Sequence, residues 1–171
     1  RSVANHLNDL SKIHPGAVLE RLGAWQSADL QTAHERDWLT RHALRTAVKR
    51  GEPEALALLG YSPDLPVTAS LSLPEVVRIG TPLVIAATLE SDAPGAVMVD
   101  YRLRFHRPSG QAEKVFKLKT GHVAPGAPLE LTRRHPMKRD ASTFRLHPGP
   151  HAIVLQVNGR DVAEGRFELL D

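Results

Sequence analysis

The chain has 171 residues, 42% of them hydrophobic, and its 22 Lys+Arg exceed its 19 Asp+Glu to leave a net charge of +3. That length and apolar content suit one large domain or two small ones and argue against disorder. No apolar run approaches the roughly 20 residues of a membrane-spanning helix, and no charged-then-apolar leader opens the chain. The absence of cysteine removes disulfides, thiolate metal sites and cysteine nucleophiles together.

These features fit a soluble, monomeric protein of a reducing cytoplasm, with no membrane partner. The chain opens on Arg1 directly against a helical pattern, which suggests part of a longer protein. The mild basic excess permits an acidic partner without demanding one.

From Arg1 to about Asp64 the apolar residues recur at helical spacing, and from about Pro66 short alternating runs take over. Tyr61-Ser62-Pro63-Asp64-Leu65-Pro66 is the expected joint, because two prolines within four residues end a helix. The boundary predicted is therefore residues 1–64 and 65–171. Eight cations and eight anions fall in the first part, so the whole net charge belongs to the second.

Four helices are predicted in the first part. Ser2 is the expected cap of one reaching about Ile13, and Pro15 suits the first turn of a second reaching about Gln26. A third runs from about Glu35 to Arg50 with Gly51 terminating it, and Pro53 opens a short fourth that ends at Gly60. Helix pairs recurring about every 35–40 residues suggest HEAT-like repeats.

In the second part, strands are predicted at about 67–73, 82–90, 96–106, 112–119, 128–134, 151–157 and 161–169. Val97, Val99, Tyr101, Leu103 and Phe105 alternate with Met98, Asp100, Arg102, Arg104 and His106, which predicts one apolar face and one wet, basic face. Asn158-Gly159 between two such runs signals a type I′ hairpin. Seven short strands predict an immunoglobulin-like antiparallel sandwich, although the disulfide and strand-C Trp of antibody domains are missing and His151 stands where many such domains place a Tyr. The expected fold class is α+β with two domains, helical repeats followed by this sandwich.

On a helical wheel Val3, Leu7 and Leu10 share a core face, while Arg1, Asn5, Asn8, Asp9 and Lys12 gather opposite. In the third helix Leu39, Ala43, Leu44 and Ala47 point inward, and Trp38, Arg41, His42, Arg45 and Lys49 share the outer face. Arg41, Arg45 and Lys49 at i, i+4, i+8 form a row suited to a phosphate backbone, with no neutralising carboxylate between them; a solvated helix face is the ordinary meaning of such spacing. Trp38 is either a packing residue or an exposed platform for a base or sugar, and Trp25 reads as core. Asp9 either pairs with Lys12 or stands as a carboxylate in a basic groove, where it would stabilise positive charge developing on a sugar.

The nine histidines lack metal-ligand spacing, and P-loop, G-x-G-x-x-G and G-x-S-x-G motifs are absent. On the sandwich, outward Arg102, Arg104 and His106 beside Lys117 and Lys119, and the run Arg133-Arg134-His135 with Lys138-Arg139, either grip DNA or keep exposed strands from aggregating.

Ser2-Val3-Ala4-Asn5-His6-Leu7-Asn8-Asp9-Leu10-Ser11-Lys12 with His14-Pro15 following, and Trp38-Leu39-Thr40-Arg41-His42-Ala43-Leu44-Arg45-Thr46-Ala47-Val48-Lys49-Arg50-Gly51 with Pro53-Glu54-Ala55-Leu56 and Leu58-Leu59-Gly60 following, carry a resemblance. Both segments resemble the HEAT-like-repeat DNA alkylation repair proteins, the AlkC/AlkD superfamily of alkylpurine DNA glycosylases. The sandwich that follows points to the AlkC branch, since the AlkD branch is helical throughout.

The resemblance implies excision of N3-alkylated adenine from double-stranded DNA by hydrolysis of the N-glycosidic bond, without a metal or organic cofactor and without flipping the damaged nucleotide into a pocket. An N3-alkylated purine is already cationic and leaves easily, so the demands are bent DNA, a carboxylate for an oxocarbenium-like sugar and a guided water. Matched by position, it implies Asp9 as catalytic carboxylate, with Arg41, Arg45 and Lys49 on the backbone and Asn5 and Lys12 as neighbours. Thr46 stands where the AlkD branch places a tryptophan, so an aromatic contact with the lesion must come from elsewhere, Trp38 included. Family catalytic groups precede the segment matching Arg1, so this chain alone is expected to be catalytically incomplete. The resemblance also leaves open a non-catalytic binder of damaged or branched DNA, and composition leaves open a module for protein partners.

Overall fold

The computed structural model describes residues 1–28, 31–108, 110–141 and 144–171. They form two compact units, Arg1–Pro63 and Asp64–Asp171: short helices first, then an immunoglobulin-like β-sandwich of two sheets.

The helical unit holds α1 (Ser2–Leu10), α2 (Pro15–Ser27), α3 (Ala33–Ala43), α4 (Arg45–Lys49) and α5 (Pro53–Leu58). Ser2 lies inside α1, and Arg1 takes the N-cap position without a side-chain bond. The start that is capped is that of α3: the Thr32 hydroxyl accepts the Glu35 N–H at 3.2 Å while the Glu35 carboxylate accepts the Thr32 N–H at 3.0 Å, a capping box. Pro15 and Pro53 occupy first turns, where a missing N–H costs nothing. Gly51 and Gly60 close α4 and α5 at φ 73° and 85°, which a side chain would resist.

Leu7, Val18, Leu22, Ala43, Leu44, Ala47 and Ala55 form the core of this unit, with Trp25 and Leu39 half-buried against it. Two sequence expectations are corrected here. Val3 is 55% exposed and Asn8 is buried, because α1 lays its Ala4, Leu7 and Asn8 stripe inward. The long third helix is interrupted at Leu44 (φ −95°, ψ 7°), so the chain from Ala33 to Lys49 is two helices.

The second unit contains β1 (Val67–Ser72), β2 (Val76–Arg78), β3 (Pro82–Ser91), β4 (Gly95–Arg107), β5 (Gly110–Val123), β6 (Leu129–Pro136), β7 (Asp140–Ala141), β8 (Phe144–Arg145), β9 (Gly149–Val157) and β10 (Arg160–Leu170). One sheet has the order β1-β3-β6 and the other β2-β10-β9-β4-β5, with β7 and β8 a separate hairpin. Among the described residues all strand pairings are antiparallel except β2 with β10. Leu83 and Ile85 of one sheet meet Tyr101, Leu103, Phe105, Ile153, Phe167 and Leu169 of the other. Ala87, Leu89 and Leu131 meet Val97, Val99, Leu155 and Val157 in a second cluster.

Asn158 (φ 48°) and Gly159 (φ 83°) make the β9–β10 turn with the positive φ at both centres that a type I′ turn needs. Asn158 does more than turn. Its side-chain oxygen accepts the Met98 N–H at 2.8 Å and its amide donates to the Ala96 carbonyl at 3.1 Å, tying the hairpin to β4. Met98, expected outward on a wet face, is accordingly buried.

Candidate nucleic-acid interface

In the helical unit α1 packs against α3, which sets Asn5, Asn8 and Asp9 beside His42, Arg45 and Thr46. The Asn5 side-chain oxygen accepts from His42 Nε2 at 2.9 Å, which assigns the proton of a neutral ring to that nitrogen. His42 also stacks on Trp38, with ring centroids 4.9 Å apart and planes 9° from parallel. Partial desolvation, then the charges of Arg45 and Arg1, hold its pKa below the ordinary histidine value. Trp38 stays 42% exposed, so its unstacked surface meets solvent rather than a helix.

Asp9 is exposed and receives a 2.8 Å hydrogen bond from Lys12 Nζ. That bond and the Lys12 charge, with a smaller contribution from Arg45, keep its carboxyl below the usual aspartate range. At neutral pH it is therefore a solvent-facing carboxylate bonded to Lys12 and within reach of the Arg45 charge, a group able to stabilise developing positive charge.

The expected row of three cations takes a different form. Arg41 is not free of carboxylates: its Nε donates to Asp37 at 2.7 Å, one turn back, and Asp37 followed by Tyr61 raises its pKa further. Arg45 donates to the His42 carbonyl at 2.6 Å. The Leu44 interruption places Arg45 and Lys49 on α4 and Arg41 on α3, so the i, i+4, i+8 geometry of one continuous helix does not apply. Among the described residues Lys49 has no ion pair. The Asp37–Arg41 pair was open to detection from its i, i+4 spacing.

The sandwich face expected to be basic is balanced by acids. Arg102 is hydrogen-bonded to Asp161 and lies 4.0 Å from Glu113, and Arg104 lies 3.5 Å from Glu113 and 2.9 Å from Glu164. Arg166 also reaches Glu164, at 3.4 Å. Three guanidinium groups thus meet three carboxylates on one sheet surface.

Lys117 and Lys119 are exposed on β5, but a register shift between Val99 and Asp100 sets them opposite Asp100 and Val99 rather than opposite the arginines. Asp100 is half-buried, and burial pushes its pKa up to about 6 against the opposing pull of Lys117. Arg133 and Arg134 are exposed, whereas His135 points inward, with its Nδ1 2.7 Å from the Tyr101 hydroxyl.

Sequence reasoning missed Asn8, which the wheel placed on the polar face. It is 2% exposed, and its side-chain oxygen accepts the Thr46 N–H at 3.2 Å. Among the described residues no group of three or more His, Cys, Asp or Glu is arranged to hold a metal ion, and no helix is long and apolar enough to cross a membrane.

Comparison with known proteins places these features in context. The chain is 32% identical to the Bacillus subtilis protein "Uncharacterized protein YhaZ" over 162 residues, 93% of this chain and 44% of that one. Among solved structures it is similar to "Pseudomonas fluorescens alkylpurine DNA glycosylase AlkC bound to DNA containing an abasic site analog", with a TM-score of 0.87 and 35% identity over 98% of this chain and 47% of the other. The chain therefore spans about half the length of the proteins it matches. A Listeria innocua β-glucosidase is similar in fold alone, with a TM-score of 0.52 and 14% identity over 63% of this chain and 16% of that enzyme. Residues 67–171 match the family described as "Uncharacterised protein YhaZ, C-terminal Ig-like domain", and the chain belongs to that family.

Proposed function

We propose that this chain is the C-terminal part of a DNA repair glycosylase that excises N3-alkylated purines such as 3-methyladenine by hydrolysing the N-glycosidic bond. The observation that carries this reading is the likeness to the Pseudomonas fluorescens AlkC structure, which runs through both the helices and the sandwich. The geometry of the helical surface agrees with it. Asp9 is an ionised, accessible carboxylate with Lys12 and Arg45 at hand, and Asn5, His42 and Trp38 form an ordered polar and aromatic surface on the same helices.

In this reading the cationic lesion supplies most of the leaving-group activation. Arg45 and Lys49 neutralise phosphates, with Arg41 and Lys12 engaged more weakly because each already holds a carboxylate. Asp9 faces the sugar, where positive charge develops as the base departs, and orients the attacking water. The helices act as the end of a HEAT-like repeat array, and the sandwich supplies a second grip on the duplex. We place the protein in the bacterial cytoplasm, with the nucleoid.

A second reading, a non-catalytic binder of damaged or branched DNA, uses the same cations. Base release separates the two. Full-length protein incubated with methylated duplex DNA is expected to liberate 3-methyladenine with burst or steady-state kinetics; salt-sensitive binding without any released base would select the binder.

A further inference from the structure

Asn8 is a buried amide inside a small helical core, a placement that costs stability unless its polar atoms are satisfied. Its partner is specific. The side-chain oxygen takes the N–H of Thr46, which becomes available to a foreign acceptor because the backbone departs from helix at Leu44. On α1, Asn5 and Asn8 lie three residues apart, and on the facing segment their partners His42 and Thr46 lie four apart, so the two amides form successive rungs between the same elements. The main chain of Asn8 is fastened as well, since the Ser11 hydroxyl donates to its carbonyl at 2.9 Å.

The residue after Asn8 is Asp9, and the residue before Thr46 is Arg45. A bond joining positions 8 and 46 therefore fixes how the carboxylate on α1 stands relative to the guanidinium on α4. A leucine, which has the same branching, would occupy the site without fixing that register, because apolar contacts are non-directional.

Resting on the glycosylase reading above, we infer that Asn8 is a positioning residue, whose bond to the Thr46 N–H holds the Asp9 carboxylate in place beside Arg45. It does not touch DNA. Its loss acts on the chemical step and leaves phosphate binding intact, because Arg45 and Lys49 remain on the surface.

The test uses full-length protein with Asn8→Leu, which keeps the branched shape and removes the acceptor, and Asn8→Asp, which keeps the acceptor. Single-turnover base release, duplex affinity and thermal melting are measured for each. The expected result is a fall in the release rate on the order of 10-fold to 100-fold for Asn8→Leu, with affinity within about threefold of the parent. Asn8→Asp is expected to recover part of that rate, since it restores the acceptor for Thr46 but replaces the amide that favours the Asp9 carboxylate by a second negative charge.

An Asn8→Leu protein that releases base at the parental rate overturns the inference while leaving the glycosylase reading intact. Equal losses of rate and affinity in both variants, tracking a lowered melting temperature, also overturn it, since they mark a purely structural residue. If the unaltered protein releases no base, the glycosylase reading fails and this inference fails with it.

Discussion

Arg41 Nε is bonded to the Asp37 carboxylate at 2.7 Å, one helical turn earlier, while Arg45, four residues further on, donates instead to the His42 carbonyl at 2.6 Å. Two cations that look equivalent in a spacing pattern therefore differ in what they offer a phosphate. Replacing Arg45 or Lys49 by Gln is expected to lower the slope of log K against log salt by about 1 each, as loss of one phosphate contact does. Arg41→Gln is expected to change the slope by less, because the arginine must first give up part of its bond to Asp37. Fluorescence anisotropy on a duplex over a range of salt concentrations checks this.

The arginines of the sandwich face predict the opposite pattern. Arg102 and Arg104 are engaged by Glu113, Asp161 and Glu164, so Arg102→Gln and Arg104→Gln are expected to leave the salt slope of DNA binding nearly unchanged. Lys119→Gln is expected to lower it by about 1, since among the described residues Lys119 has no ion pair. A salt slope that falls with Arg102 and not with Lys119 contradicts this assignment.

Asn158 is the clearest case of a turn residue that is also a core residue. Asn158→Ala loses two hydrogen bonds, to Met98 and Ala96, and places alanine at φ 48°. The expected cost is about 2–4 kcal/mol of unfolding free energy, from the two buried backbone groups left unpaired and the backbone strain. Asn158→Gly relieves the strain and not the lost bonds, so it is expected to fall between alanine and the parent in urea denaturation.

Asp100 gives a pH signature. Its pKa is raised to about 6, from an ordinary 3.8, chiefly by burial, so between those values the folded state holds a proton that the unfolded state has released. Its contribution to stability is therefore present below about pH 4 and is lost as pH rises through 6. Asp100→Asn removes this dependence and is expected to be more stable than the parent at pH 7.5 by about 1–2 kcal/mol, with the difference shrinking at pH 4.5. Urea midpoints at the two pH values read it directly; a difference that grows at the lower pH contradicts the assignment.

The parts of the fold legible in the sequence are those set by local chemistry. Pro15, Pro53, Gly51, Gly60 and Asn158-Gly159 each mark the boundary or turn that their backbone preferences dictate, and period-2 alternation locates the long strands β3, β4 and β10, while β9 ends in a continuously buried run. What was not legible depends on distant residues. Helical periodicity runs unbroken through Leu44, and the departure there is accompanied by an acceptor for the Thr46 N–H, Asn8, that lies 38 positions before Thr46. The strand β2 has only three residues and is recognisable by its parallel partner β10. The basic face of β4 reads as basic only until Asp161 and Glu164 arrive from β10, 59 and 60 residues away from the arginines they hold. Asp9 and its Lys12 partner at i, i+3 are legible in the sequence, but the relation of Asp9 to Arg45 depends on how α1 meets α4.

On the proposed function, Asp9 acts in bond cleavage and not in DNA binding. Single-turnover release of 3-methyladenine from methylated duplex, by full-length protein and its Asp9→Asn variant at saturating enzyme, tests it most directly. The expected result is a loss of at least about 100-fold in the release rate, the scale of a removed electrostatic contact in a transition state, with duplex affinity unchanged or slightly increased as a negative charge leaves the phosphate-facing surface. An Asp9→Asn protein that releases base at the parental rate would contradict it.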